Sequence, residues 1–481
     1  MNNSLKINDK SYQSTLPGFT IVELLVVIVV IGILAAVTII SYTGIAQKAK
    51  IATLQSDLDN SSRLIKLFQV SDPNGDYPTA NNCPTLNSTQ ICLNSNSGNT
   101  FTYTPINGTN PKTFTLDATS TTGGVMTTYR ITNDTSPVAL VVPTGILSTL
   151  SPTTINTDSG PVGIAISTDG SSVYEVSNNS GGTISMYTRN SATGVLTAMS
   201  PATVDAVGPN LSSVTVSADG KSVYVATNNP SGTISMYNRN ISTGLLTALS
   251  PATITASGCM NAMGITISAD GNSVYAVCNL GGIAMYSRNI TTGLLTALSP
   301  ATIATGGGSQ YVTISADGNS VYTTDISTNT ISMYSRNTTT GALTALSTPT
   351  IATGTSPYGI AISADGKSVY VVNGNSDNMS MYSRNTTTGL LTALSPATIA
   401  VGTHPKGVTI STDGRSVYST NAVSNNISLY GRNTTTGLLT ALSPAVIAAG
   451  ATTWNIVIST DGSSVYTTNY GSNNISMYSR N

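Results

Sequence analysis

Charge is scarce in this sequence. Lysine and arginine number 19, and aspartate and glutamate 20, so only 8% of the 481 residues are charged and the net charge is −1. An average soluble protein carries about 25%. A chain so nearly neutral has no basic stripe to hold nucleic acid and little pull on anionic lipid. Histidine is scarcer still: His404 is the only one, so any Ser-His nucleophile pair must use it. Cysteine occurs four times, as Cys83, Cys92, Cys259 and Cys278, and never as Cys-x-x-Cys. That spacing argues against zinc or thioredoxin-type chemistry. The even count suits two disulfides in an oxidising compartment, and leaves unlinked thiols or small buried hydrophobes as the alternative. Solvation falls to Ser, Thr, Asn and Gly.

What is present begins with an apolar run from Ile21 to Ile40, interrupted mainly by Glu23 and Thr38. As a helix it would span roughly 30 Å, the thickness of bilayer hydrocarbon. A polar leader of 18 residues precedes it, unlike the short apolar core of a secretory signal. Glu23 is costly inside a membrane helix. It lies near the helix start, where the dipole favours negative charge, and an amine created by cleavage before Phe19 would pair with it. The stretch Gly18-Phe19-Thr20-Ile21-Val22-Glu23-Leu24-Leu25-Val26-Val27 resembles the type IV prepilin N-terminus. The resemblance implies cleavage after Gly18 by a prepilin peptidase, N-methylation of Phe19, and assembly with other pilin subunits through Glu23. It also implies an inner-membrane precursor that reaches the cell surface or a pilus after processing. Beyond the run, Ile51, Leu54, Leu58, Ile65 and Phe68 keep helical spacing until Asp72-Pro73-Asn74-Gly75 breaks it. Short strands follow, and in the pilin resemblance a long helix packs on a small sheet, with Cys83 and Cys92 closing a loop.

The second half is one unit repeated seven times. Asp-Gly recurs at Asp169, Asp219, Asp270, Asp317, Asp365, Asp413 and Asp461. Each copy reads as four strands, A to D: an Ile-x-Ile-Ser strand, a tight Asp-Gly hairpin into Ser-Val-Tyr, an Ile-Ser-Met-Tyr strand, and a Leu-Leu-Thr-Ala-Leu strand after Thr-Gly. Repeats of this length and make-up signify propeller blades. The seventh copy stops after strand C, and the missing piece precedes the first copy at Thr144-Gly145-Ile146-Leu147-Ser148-Thr149-Leu150. The ring is therefore expected to close with that strand, which removes exposed edges. Segments such as Ser368-Val369-Tyr370-Val371-Val372-Asn373 and Ser464-Val465-Tyr466-Thr467-Thr468-Asn469 resemble the lactonase-like, YVTN-type β-propellers. That resemblance is specific for fold and weak for activity.

The Asp-Gly aspartates recur in every copy, as turn-formers do. So do Arg189, Arg239, Arg288, Arg336, Arg384, Arg432 and Arg480, whose expected role is structural, tying a loop or a neighbouring blade. The departures from the repeat fall in the D–A and B–C loops, which share one rim. They are Tyr311, Tyr358, His404, Lys406 and Trp454 in or near D–A loops, and Asp325, Asp377 and Tyr470 in B–C loops. One diversified face on a rigid scaffold is read as a candidate ligand-binding rim for a glycan or protein, with plain loop drift after duplication as the alternative. The expected architecture is an α+β pilin module with a long N-terminal transmembrane helix, followed by an all-β seven-bladed propeller. The divisions are a leader at 1–18, a pilin-like domain at 19–143 and the propeller at 144–481. The expected function is a minor or tip pilin-like subunit displaying the propeller for adhesion. No catalytic residue, metal, cofactor or nucleic acid enters this reading, and the chain is not taken as an enzyme. The alternatives are a membrane-tethered lactonase-type hydrolase and a secretion-system pseudopilin.

Overall fold

The computed structural model describes residues 52–481 apart from 82–89, 94–99, 109–110, 123–124, 134–137, 141–144, 207 and 256–257. The chain divides into two compact units, Met1–Val142 and Pro143–Asn481.

In the first unit a helix at 52–71 buries Leu54, Leu58 and Ile65 against Phe114, Leu116, Ala118 and Ile131. These belong to a sheet of Thr100–Ile106, Thr113–Thr122, Val125–Thr132 and Val138–Leu140. Asp72 stops the helix by accepting the backbone N–H groups of Asn74 and Asp76 on one carboxylate oxygen. Gly75 then takes a φ of 63°, which a residue with a Cβ adopts at a cost.

This corrects the expected fold class. Among the described residues no helix is long and apolar enough to cross a membrane. The described helix is amphipathic, with Asp57, Asp59, Arg63 and Lys66 along it, so it packs on a sheet and does not span lipid. Among the described residues what is found is an all-β propeller with a single helix packed on a small sheet, and no transmembrane helix. The inner-membrane prepilin is corrected on the same ground. The run from Ile21 to Ile40, with Gly18, Phe19 and Glu23, lies outside the described residues.

The second unit holds seven four-stranded antiparallel sheets. Six are continuous in sequence. The seventh joins Thr453–Ile458, Ser464–Asn469 and Asn474–Arg480 to Leu147–Asn156. Strand B is buried on both faces, as at Ser368–Asn373, which explains its continuous apolar character. Val369 and Val371 meet Tyr322, Ile331 and Met333 of blade four. Tyr370 and Val372 meet Val417 and Tyr430 of blade six.

A polar latch is repeated at every blade interface. Arg239 Nη2 donates to Asp169 Oδ2 at 2.9 Å, Nη1 to Gly220 O at 3.1 Å and Nε to Tyr174 Oη at 2.7 Å. The Tyr174 hydroxyl donates in turn to Gly244 O. The same pairing links Arg288 to Asp219, Arg336 to Asp270, Arg384 to Asp317, Arg432 to Asp365 and Arg480 to Asp413. Arg189 with Asp461 completes the circle at 2.8 Å. Each aspartate has two tasks: Asp169 Oδ1 accepts from Ser167 Oγ and Ser171 N to shape the A–B turn, and Oδ2 takes the arginine. Burial works to raise the Asp169 carboxyl, but bonds from Ser167, Ser171 and Arg239 outweigh it and hold it below the usual carboxylate range.

Candidate functional site

Strand A lines the central channel, and its pairing to strand B slips near the channel mouth in all seven blades. Such bulges re-aim a side chain out of the pleat. Five residues before the serine of each Ser-x-Asp-Gly turn stand Val162, Ser212, Met263, Gln310, Tyr358, Lys406 and Trp454. They are one ring of seven, a single side chain from each blade. The next position holds Gly163, Ser213, Gly264, Tyr311, Gly359, Gly407 and Asn455. A Cβ on Gly359 would lie 2.7 Å from Lys406 O, and one on Gly407 2.9 Å from Trp454 O. The glycines let the innermost strands of blades five, six and seven crowd together. Thr420 clamps two of them: its Oγ1 accepts from Gly407 N and donates to Trp454 O, both at 2.8 Å. Thr324 Oγ1 likewise donates to Tyr358 O at 2.7 Å.

The crowding brings three side chains into contact. Lys406 Nζ lies 3.3 Å from the centre of the Tyr358 ring and 4.6 Å from that of Trp454. Lys406 is only 4% exposed, and among the described residues it has no ion-pair partner. Two cation–π contacts contribute about 2 kcal/mol each when desolvated, less than the several kcal/mol that burying an ammonium costs. Burial accordingly lowers the Lys406 amine to about 8. His404 stacks edge-on to Tyr358, centroids 5.9 Å apart, and its backbone N–H donates to Asp377 Oδ1 at 2.8 Å. Burial first, and Lys406 second, push the imidazole below its ordinary range, so it is neutral at pH 7. Tyr470 lies 5.7 Å from Trp454. Tyr311 belongs to strand A and not to a loop. It lines a small channel cavity with Tyr358, Trp454, Val162, Ser212, Met263 and Gln310, and burial raises its hydroxyl well above the usual range.

Beside this cluster, between blades six and seven, opens a pocket of about 480 Å³. His404, Lys406, Val423, Asn425, Thr452 and Trp454 line it. It offers one cation, one neutral imidazole and one indole face. That set can polarise a carbonyl, accept a proton and stack against a sugar ring.

Six of the eight predicted rim residues thus gather at one place: Tyr311, Tyr358, His404, Lys406, Trp454 and Tyr470, with Asp377 holding His404 from behind. Asp325 does not join them. It is buried within blade four, accepting from Ser309, Ser332, Thr323 and the Gly306 N–H. Burial raises its carboxyl despite those bonds. Cys259 and Cys278 form a disulfide with Cα atoms 5.3 Å apart. Cys92 is disulfide-bonded, and Cys83 lies outside the described residues. Among the described residues, no group of three or more His, Cys, Asp or Glu could hold a metal ion. Sequence reasoning missed Gln310, Met263, Gly359, Gly407, Thr324 and Thr420. Aligning the seven copies on the Ser-x-Asp-Gly turn would have exposed the channel ring.

A family model described as Lactonase, 7-bladed beta-propeller matches residues 139–261 and 264–402, more than half of the chain. Among solved structures the chain is similar to a putative 6-phosphogluconolactonase from Bacteroides uniformis. The identity is 22% over 70% of this chain and 96% of that one, with a TM-score of 0.53. It is similar also to the periplasmic gluconolactonase of Pseudomonas aeruginosa, at 18% identity over 68% and 93% with a TM-score of 0.50. A third likeness is to Kuenenia stuttgartiensis hydrazine synthase, at 19% identity over 68% and 97% with a TM-score of 0.50. No match was found among curated proteins. At these identities the structural likenesses speak for fold alone, and the family match carries the rest. It overturns the expectation of a chain without enzymatic activity. That expectation rested on finding no convergent unrepeated groups, and such groups converge only once the blades are packed in a ring.

Proposed function

Because the chain belongs to the seven-bladed β-propeller lactonase family, we propose that its propeller hydrolyses a sugar lactone in the pocket between blades six and seven. The observation that carries this reading is the meeting of Lys406 and His404, a buried cation and a neutral base, on one pocket. The sugar ring stacks on Trp454, with Asn425 and Thr452 beside it. Lys406 faces the acyl oxygen and stabilises the negative charge that grows there as water adds. His404 takes the proton from that water. Collapse of the adduct breaks the bond to the ring oxygen and leaves a hydroxy acid, with one proton released to solvent.

The test is proton release at constant pH by the full chain, with δ-gluconolactone and its 6-phosphate as substrates. Turnover above the spontaneous rate is expected. Lys406→Met should lower kcat by about 10²-fold, and His404→Gln by a similar factor. A wild-type chain that hydrolyses neither lactone faster than buffer alone would sink the proposal.

A further inference from the structure

Lys406 has a second capacity that hydrolysis does not use. Its amine is buried, lacks a carboxylate partner among the described residues, and borders a pocket wide enough for a small molecule. Ordinary lysines are kept protonated by water and by paired carboxylates. Here the surroundings are the rings of Tyr358 and Trp454, which solvate a cation only in part. The titratable groups facing it are His404, two residues before it, and Tyr358 from blade five, with Asp377 accepting from the His404 backbone N–H. None of them is a carboxylate in contact with the ammonium. A desolvated lysine of this kind is a nucleophile.

We propose that Lys406 is a carbonyl-capturing residue, whose neutral amine condenses with a small hydroxylated aldehyde entering the pocket to form a Schiff base. Nζ attacks the carbonyl carbon, an N–C bond forms, and a proton passes from nitrogen to oxygen to give a carbinolamine. Loss of that oxygen as water leaves the C=N bond, so one water is released for each aldehyde taken up. No oxidant or reductant takes part. The pocket suits such a ligand because Asn425 and Thr452 supply amide and hydroxyl edges beside the Trp454 face. The inference does not rest on lactone hydrolysis and uses the opposite protonation state of the same amine. With the amine lowered to about 8, hydrolysis belongs below that pH and capture above it.

The experiment treats the full chain with glycolaldehyde and cyanoborohydride between pH 6 and 9.5, and maps the reduced adducts by peptide mass spectrometry. The solvent-exposed Lys221 and Lys367 serve as internal references. Lys406 is expected to label about tenfold faster than either at pH 8, since a lysine whose pKa falls by two units or more carries far more free amine there. Its rate should level off above pH 8. Lys406→Arg should lose that adduct alone, with Trp454 fluorescence showing that the fold persists. Labelling of Lys406 no faster than that of Lys221 and Lys367 at pH 8, or a Lys406 rate that climbs to pH 9.5 without levelling, would overturn the proposal. The wild-type comparison decides this even if the variant does not fold.

Discussion

At the scale of single residues, the protonation of two side chains sets what the propeller does and how stable it is. Hydrolysis needs His404 neutral and Lys406 charged. His404 sits below its ordinary range and Lys406 near 8, so kcat should be flat near pH 7 and fall above pH 8. A rate still rising at pH 9 would remove Lys406 from the reaction. Glu175 matters to stability instead. It is fully buried on the face of blade one that packs on blade seven, beside Val173 and Tyr187. One oxygen accepts from Ser177 Oγ at 2.8 Å, while the other has no partner. In blades five to seven an asparagine amide does the equivalent work, as when Asn373 Nδ2 donates to Ser380 Oγ. A protonated carboxyl, one donor and one acceptor, can mimic that amide. Burial raises Glu175 from 4.5 to about 8. The folded state therefore holds a proton that the unfolded chain sheds above pH 4.5. Stability from this group is full below pH 4.5, falls as pH rises to about 8, and is constant beyond. The loss is about 5 kcal/mol. Glu175→Gln keeps the shape and removes the titration, so the variant should gain on wild type between pH 5 and 8 in urea unfolding. Parallel curves for the two proteins across that range would show that Glu175 is already ionised in the fold.

At the scale of strands, the site depends on how closely three of them approach. Gly407→Ala puts a methyl 2.9 Å from Trp454 O and 3.1 Å from Thr420 Oγ1. Overpacking of this kind costs about 1–3 kcal/mol. The expected result is a shift in Trp454 emission, clean to read because it is the only tryptophan, together with lower turnover. Unchanged emission and turnover would mean that the strands have slack. The same geometry explains what could be read in the sequence. The blades were legible because Asp-Gly and Ser-Val-Tyr recur at near-constant spacing, and each blade is a local structure. Tyr358, Lys406 and Trp454 were legible as departures from the repeat. Their contact was not, because it arises from missing Cβ atoms on Gly359 and Gly407 and from the Thr420 clamp, and those residues look ordinary in a strand. The partner of each arginine was hidden for a related reason: Arg239 reaches an aspartate 70 positions upstream. Glu175 did leave a signal, a lone charge inside the otherwise uncharged Ser172–Ser177 strand. The pilin reading drew on Gly18 to Ile40, outside the described residues, and on the helical spacing up to Phe68, where the described helix packs on its sheet.

At the scale of the whole molecule, the weakest point in the ring should be inside blade seven and not between blades. Every pair of neighbouring blades is joined by a D–A connection and an arginine latch, including blades seven and one through 157–160 and Arg189. In blades one to six a short turn also joins strands C and D. In blade seven that turn is replaced by hydrogen bonds: Gly145 N donates to Asn481 O, and Asn481 N to Ile146 O. Ser479 and Ser148, bonded across the closure, are 331 residues apart, whereas Ser383 and Thr392 in blade five are 9 apart. For a flexible chain that difference in loop length amounts to about 3 kcal/mol, and the stiffness of six folded blades reduces it. Peeling of Leu147–Asn156 from Asn474–Arg480 should then precede global unfolding. Ile155 and Ile447 occupy matched places, opposite Ile475 and Ile427. Truncating either to Ala removes comparable packing, a loss of about 2 kcal/mol. Only Ile155→Ala should make the amides of Asn474–Arg480 exchange faster than those of Asn426–Arg432, by at least tenfold. Equal exchange in the two variants would show that the closure is as strong as a turn-linked pair, and that the ring opens elsewhere.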